Sequence, residues 1–510
     1  MSTITRRNAW NNGGTLDNPD LLWYAKAVGV MQSRALNDPT SWWFYAAIHG
    51  QSIADNPGWG QIPIPPKVPT TPLPSQSLMS QYWDQCQHGG WFFPPWHRGY
   101  LYAIENILRG IIQELNGPDD WALPYWNYFG GGDQFKIPPA FIQLSLPDGT
   151  TNPLLVNARY GPNNNGNVFV PFDRGINQNC QQNTVYTGLR TRFYGGLKTG
   201  FAHFSGGTGS LEGNPHNPVH TAVGGQNPVS GVGGLMSDPD TAGLDPIFYL
   251  HHCNIDRMWA AWNAAGNSNP TDPDWLNGPT ATGDRKFYMP NPDSTPWEFT
   301  PEMVDNISQL NYTYEDLSLG ITPPVVSLSA SRLRNFGLTV NDTKTLDENM
   351  DQNSDSELVG ASSSPLKVDA TGAHTDIKLD SSGWNTVARS LKMNNMVKRL
   401  DAEKLPDQVY LQLEGIKGNE DSVVCSVSVN NQYAGHLSLF GLRKATQKDG
   451  QHGGGGLTVR FDISDIVDKL ELTNSIDVDA LDVHIQPVNI IAEGNELTID
   501  RVSIYREGQV

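Results

Sequence analysis

The sequence predicts a mainly helical first domain followed by an all-β second one. Three observations carry this reading. Up to residue 320, apolar residues recur at helical spacing around a set of histidines. From residue 367 onward, apolar and polar residues alternate instead. Between them lies a polar stretch with no period. A chain of 510 residues exceeds one ordinary core, so two domains are expected: 1–320 helical, 321–366 linker and 367–510 β-rich.

The helical elements follow in order. The apolar run Trp42–Ile48 ends at His49 and would carry that ring into a core. His88 and His97 stand in Cys86-Gln-His-Gly-Gly-Trp-Phe-Phe-Pro-Pro-Trp-His-Arg98, and His97 opens a helix. Its Leu101, Ile104, Leu108, Ile111, Ile112 and Leu115 mark one buried face. His216 and His220 are i, i+4, so both rings project from one side of a helix. His251 and His252 head a further helical pattern, with Asp256 one turn after His252 and placed to hold a ring nitrogen. Histidine is scarce, 12 in the chain, yet eight fall at or before position 252. A single buried histidine is usually a satisfied core residue. Six on four inward-facing helices describe instead a bundle-core metal site. Neutral imidazoles in two groups of three suit a pair of transition metals, copper foremost. Three ligands per ion leave positions open for dioxygen and substrate.

Trp96-His-Arg98, Leu123-Pro-Tyr-Trp126, Pro215-His-Asn-Pro-Val-His220 and Asp245-Pro-Ile-Phe-Tyr-Leu-His-His252 resemble the copper-A and copper-B signatures of tyrosinases and catechol oxidases, the type 3 copper family. The resemblance covers roughly the first 315 residues and implies a four-helix bundle holding two copper ions. Copper A would take His49, His88 and His97; copper B would take His216, His220 and His252. The family pattern selects the histidine four residues before the aspartate, which leaves His251 with a structural role, while His203 fits neither triplet and reads as structural or at the rim of the site. Cys86-x-His88 resembles the fungal pattern in which the cysteine sulfur is joined to the histidine ring as a thioether. Glu212 and Asn217 resemble a water-holding pair associated with phenol deprotonation, and near cationic copper Glu212 should stay ionised. The pair favours a tyrosinase, which hydroxylates monophenols and oxidises o-diphenols with dioxygen and so serves melanin formation. The alternatives are a catechol oxidase, a haemocyanin-like oxygen carrier and a zinc hydrolase. The last lacks a glutamate inside the His216–His220 motif to act as base.

Leu310-Asn-Tyr-Thr-Tyr314 resembles the tyrosine motif that closes catalytic domains of this family. The polar run from Asn341 to Pro365 reads as a protease-sensitive linker. Beyond it, Val409/Leu411/Leu413, Val423/Cys425/Val427/Val429, Leu457/Val459/Phe461/Ile463, Leu481/Val483/Ile485 and Leu497/Ile499 predict strands of an antiparallel sandwich or barrel. Glu414-Gly-Ile, Val459-Arg-Phe-Asp-Ile and Val502-Ser-Ile-Tyr resemble the C-terminal domain of plant polyphenol oxidases, which covers the copper site and keeps the enzyme latent. The whole then resembles a bacterial tyrosinase carrying a plant-type lid, with Tyr433 in the turn-like run Asn430–Leu437 as the inserting side chain. A stability or assembly domain is the other reading.

Composition narrows the partners. A net charge of −19 argues against nucleic acid and anionic membrane surfaces, both of which would repel the chain. The apolar runs are too short to span a bilayer. Arg6-Arg7 is followed by polar Asn-Asn-Gly-Gly where an export signal needs apolar residues, so the expected location is cytoplasmic unless a signal has been removed. Four cysteines form no disulfide framework. Dioxygen and small phenols or catechols are the expected partners, and self-association is left open.

Overall fold

A computed structural model describes residues 3–51, 68–188, 193–204, 207–282, 285–320, 356–396, 407–448, 454–473 and 475–508. Its contacts form two compact units. The first is Met1–Gly320 together with Glu420–Ser422 and Ser438–Gly454; the second is Ile321–Asn419, Val423–Leu437 and Gly455–Val510.

In the first unit, helix α1 (Pro19–Ser33) starts where the Asn18 side chain accepts from the Asp20 amide. Helix α2 (Trp42–His49) starts at Ser41, whose hydroxyl accepts from the Phe44 amide, and all eight of its residues are buried. Helix α3 (Phe93–Glu114) tolerates Pro94 and Pro95 because the amides of a first turn need no helical partner. Helix α4 (Asn217–Gly224) follows a wider turn over Glu212–His216. Helix α5 (Ile247–Ala264) is buried from Ile247 to Trp262, the signature of a helix surrounded by core on all sides. Each fully buried Leu, Ile or Phe here contributes roughly 1.5–3 kcal/mol.

Asp256 on α5 does not do what its spacing suggests. Its carboxylate accepts from Arg98 Nε at 2.5 Å, Arg6 Nη1 at 3.1 Å, and the hydroxyls of Tyr312 and Tyr314 at 2.6 Å each. Arg6 also pairs with buried Glu105 on α3. Strand β1 (Ile4–Arg6) lies parallel to β4 (Tyr312–Tyr314), so this network ties both ends of the segment 1–320 to the two central helices. The expectation that Asp256 holds His252 is therefore corrected. Two buried guanidinium groups claim the carboxylate, and His252 Nδ1 has no hydrogen-bond partner among the described residues. Strands β2 (Phe287–Pro290) and β3 (Pro296–Phe299) form a separate hairpin.

The second unit is a barrel-like sheet whose strands follow the alternation read from the sequence. Its nine strands are β5 (Ser356–Ala361), β6 (Leu366–Val368), β7 (Ala373–Leu379), β8 (Gln408–Lys417), β9 (Val424–Val429), β10 (Gln432–Ser438), β11 (Leu457–Asp462), β12 (Leu481–Pro487) and β13 (Leu497–Glu507). The order is β10-β9-β12-β7-β5-β13-β8-β11, with β6 beside β13. Val409, Leu411 and Leu413 on β8, and Val427 and Val429 on β9, are wholly buried, while the polar residues between them are less so. Asn430 and Asn431 both take positive φ, as a two-residue hairpin turn requires. Helices α6 (Ser381–Met396) and α8 (Ser464–Leu472) interrupt the strands and were not expected. Strand β5 lies within the stretch read as linker; residues 321–355 of that stretch lie outside the described residues. No helix among the described residues is long and apolar enough to cross a membrane.

Candidate metal centre

The histidines of the first unit meet in its core as two groups, His49/His88/His97 and His216/His220/His251/His252, each with its ligand atoms within 4.8 Å of one another. Four rings are aimed by their Nδ1–H groups. His49 donates to Pro239 O at 2.9 Å, His97 to Phe93 O at 2.8 Å, His220 to Met236 O at 2.9 Å, and His216 to Asn217 Oδ1 at 2.8 Å. A ring that donates through Nδ1 presents a lone pair at Nε2.

Those lone pairs converge. His252 Nε2 stands 3.3 Å from His216 Nε2 and 3.2 Å from His220 Nε2. In the other group, Nε2 of His49, His88 and His97 has no hydrogen-bond partner among the described residues, although all three rings are buried. Buried lone pairs facing one another repel unless a cation sits between them. Nitrogens tetrahedrally placed at about 2.0–2.1 Å from one ion lie roughly 3.3–3.4 Å apart. The second group already has that spacing, so the residues fit a metal. Burial, with neighbouring rings, holds these imidazoles below their usual range; burial brings His49 to about 4. They are neutral ligands at pH 7.

The two groups face each other. The rings of His97 and His252 stack at 4.5 Å and 11°. His251 stacks at 5.4 Å on His216 and stands edge-on to His220 at 4.9 Å. It is His252 whose Nε2 closes on both partners.

The remaining site residues are placed as follows. Glu212 is buried, both its oxygens accept from the Gly89 amide, and burial raises its carboxyl to about 8. Adjacent dicationic metal would pull that value down again. Asn217 is committed to His216, fixing its tautomer. Cys86 Sγ contacts His203 Nδ1 at 3.7 Å, and burial pushes the thiol up. His203 is thus beside the segment that carries His88.

Two aromatic rings complete the site, and the sequence reading missed both. Phe440 stacks on His220 at 4.1 Å and 19°, with its edge toward His216 and His88 at 5.7 and 5.9 Å. Phe204 stacks on His88 at 4.3 Å and 4°. Tyr433, the expected inserting group, instead lies in the second unit, 47% exposed, its hydroxyl paired with His436. Phe440 is anchored by its own segment. Ser438 Oγ donates to Asn217 O, and helix α7 (Leu442–Thr446) brings two cations onto an acidic wall. Arg443 pairs with Asp238, Asp240 and Asp421, and buried Lys444 with Asp84 and Asp240.

Comparison with known proteins agrees with this geometry. Residues 39–265 match the common central domain of tyrosinase, and residues 355–507 match a domain of unknown function, DUF7868. Tyrosinase HcTyr1 of Hahella sp. (strain CCB-MM4) is 32% identical over 519 residues, 99% of each chain. The chain belongs to the tyrosinase family. As a member it is a type 3 copper oxidase of the tyrosinase and polyphenol oxidase group. Catechol oxidase B of Solanum tuberosum is 35% identical over 206 residues, 37% of this chain and 33% of its own. Among solved structures, latent apple tyrosinase aligns over 99% of this chain and 98% of its own at 21% identity, with a TM-score of 0.53. A latent aurone synthase covers 100% and 90% at 22% identity and TM-score 0.56. At those identities the likeness establishes the fold, helical domain and C-terminal sheet alike.

Proposed function

We propose that this chain hydroxylates monophenols to o-diphenols and oxidises o-diphenols to o-quinones with dioxygen, using two copper ions, one on each histidine triad. The observation that carries the reading is the convergence of six buried Nε2 lone pairs in two facing groups. Bound copper would supply dioxygen binding and electron transfer. The chain's own residues do the rest. Pro239, Phe93 and Met236 carbonyls aim three ligand rings, and Asn217 aims the fourth. Glu212, four residues before His216 and buried beside Gly89, is the group to take a phenol proton through a water. A thioether between Cys86 and His88 would further restrict the copper-A geometry. Phe440 occupies the face of copper-B histidine His220, where a flat phenol ring would stack, so the docked segment keeps the enzyme latent.

Elemental analysis should give two coppers per chain, with His97→Ala and His220→Ala each losing one. Glu212→Gln should lower monophenol turnover by about tenfold or more and diphenol turnover far less, because a catechol releases its proton more readily. Equal losses would favour the catechol oxidase reading, and full activity with zinc in place of copper would overturn both.

A further inference from the structure

Phe440 explains how copper B is covered. The copper-A histidine His88 is covered by a different ring, Phe204, which comes from the first 320 residues and not from the returning segment. Phe204 is 5% exposed and holds a φ of 51°, a left-handed backbone that a bulky side chain rarely adopts. Its ring is confined between two surfaces. One is the His88 imidazole, parallel at 4.3 Å. The other is the backbone of Gly441, which has φ 84° and where an added methyl group would overlap the Phe204 ring. Phe440 stands edge-on to the same ring at 6.0 Å. Gly441 in turn immediately precedes α7, whose Arg443 and Lys444 are pinned by the acidic wall.

We propose that Phe204 is a second access-determining residue of the metal pocket, closing the His88 side, and that Gly441 of the docked segment holds it shut. This rests on the dicopper reading above. A glycine is needed at 441 because any side chain would drive Phe204 off His88. When the segment withdraws, the surface confining Phe204 goes with it, and the strained backbone is free to relax into the ordinary region. Both metals would then open from one undocking event, and the size of phenol admitted on the His88 side would depend on Phe204.

The test uses the full chain and two readouts. The first is the rate at which Cu2+, added as the sulfate, enters the metal-free chain, followed by quenching of tryptophan fluorescence; Trp96 lies 4.8 Å from His97. The second is diphenol turnover after reloading. Phe204→Ala should speed copper entry by about tenfold and raise turnover with Phe440 still in place. Gly441→Ala should act about as strongly alone, yet add less than about twofold in the Phe204→Ala background, because the two act through one contact. Phe204→Leu keeps apolar bulk if the alanine variant fails to fold, and should speed entry by about threefold through loss of the flat stack. Copper entry unchanged in both Phe204 variants would overturn the proposal, as would a Gly441→Ala effect of the same size with and without Phe204. Faster copper entry with no turnover in any variant would uphold the gate and reject the phenol oxidase reading instead.

Discussion

If the docked segment keeps the enzyme latent, as proposed, replacing Lys444 by Met should release it without protease. Lys444 Nζ lies 2.6 Å from Asp84 Oδ1 and 2.8 Å from Asp240 Oδ1, with side-chain exposures of 3%, 23% and 4% respectively. Removing one partner of such a buried pair costs about 3–5 kcal/mol, because the carboxylates stay desolvated without a counter-charge. Asp240 keeps Arg443 as a partner and Asp84 keeps some contact with water, so the lower end, about 3 kcal/mol, is an upper figure. Once the segment leaves, both carboxylates are hydrated, so the whole penalty falls on the docked state. That shifts the docking equilibrium by up to about a hundredfold. Arg443 still holds Asp238 and Asp240 at 2.9 and 2.6 Å, so the variant should open reversibly and not unfold. The assay is catechol turnover of the full chain before and after limited proteolysis, at matched copper content. Lys444→Met should approach the proteolysed level unaided, while Lys444→Arg should stay latent. A Met variant as latent as its parent, with the same gain on proteolysis, would refute the clamp.

Other outcomes follow from the same geometry. Burial lowers His49 from 6.5 to about 4. Above pH 6.5 the ring is neutral folded or unfolded; as pH falls from 6.5 toward 4 only the unfolded chain takes the proton. That window should remove roughly 3 kcal/mol from the metal-free chain through His49 alone, and denaturant midpoints equal at pH 7 and pH 4.5 would contradict it. A proteolytic fragment spanning Cys86 and His88 from copper-loaded protein should be lighter by the two hydrogens lost on forming a thioether and resist alkylation; a freely alkylated Cys86 would exclude the link. Asp256→Asn leaves Arg6 and Arg98 buried without their shared carboxylate and should cost about 3–5 kcal/mol in denaturation while copper content stays unchanged. A copper loss there would return Asp256 to the role its spacing suggested.

The two histidine groups were legible because helical spacing and motif order are local properties of sequence. His216 and His220 share a face by arithmetic alone, and the strands of β8, β9, β12 and β13 announce themselves by alternation. What failed was long-range. Phe440 meets His220 from 220 positions further along the chain, in a loop with no period, and Phe204 meets His88 through a single stacked pair. No periodic pattern marks such contacts. Asp256 misled for a related reason: its i+4 spacing from His252 is a local fact, while Arg6 and Arg98, which claim it, arrive from elsewhere in the chain. Tyr433 was preferred for its chemical likeness to a phenol, but it is exposed, and the ring that stacks on His220 is that of Phe440.

The first unit includes Glu420–Ser422 and Ser438–Gly454 as well as the leading 320 residues. Its last piece therefore ends at Gly454, 134 residues after Gly320 closes the leading segment. At about 5–20 residues per second, a ribosome needs roughly 7–27 s to cover that distance. During this interval the histidine core can assemble while Phe440, Gly441, Arg443 and Lys444 are still unmade or inside the exit tunnel. The nascent chain would thus pass through a stage with its metal pocket uncovered, giving copper a period of unhindered entry before the closing segment emerges and slows it.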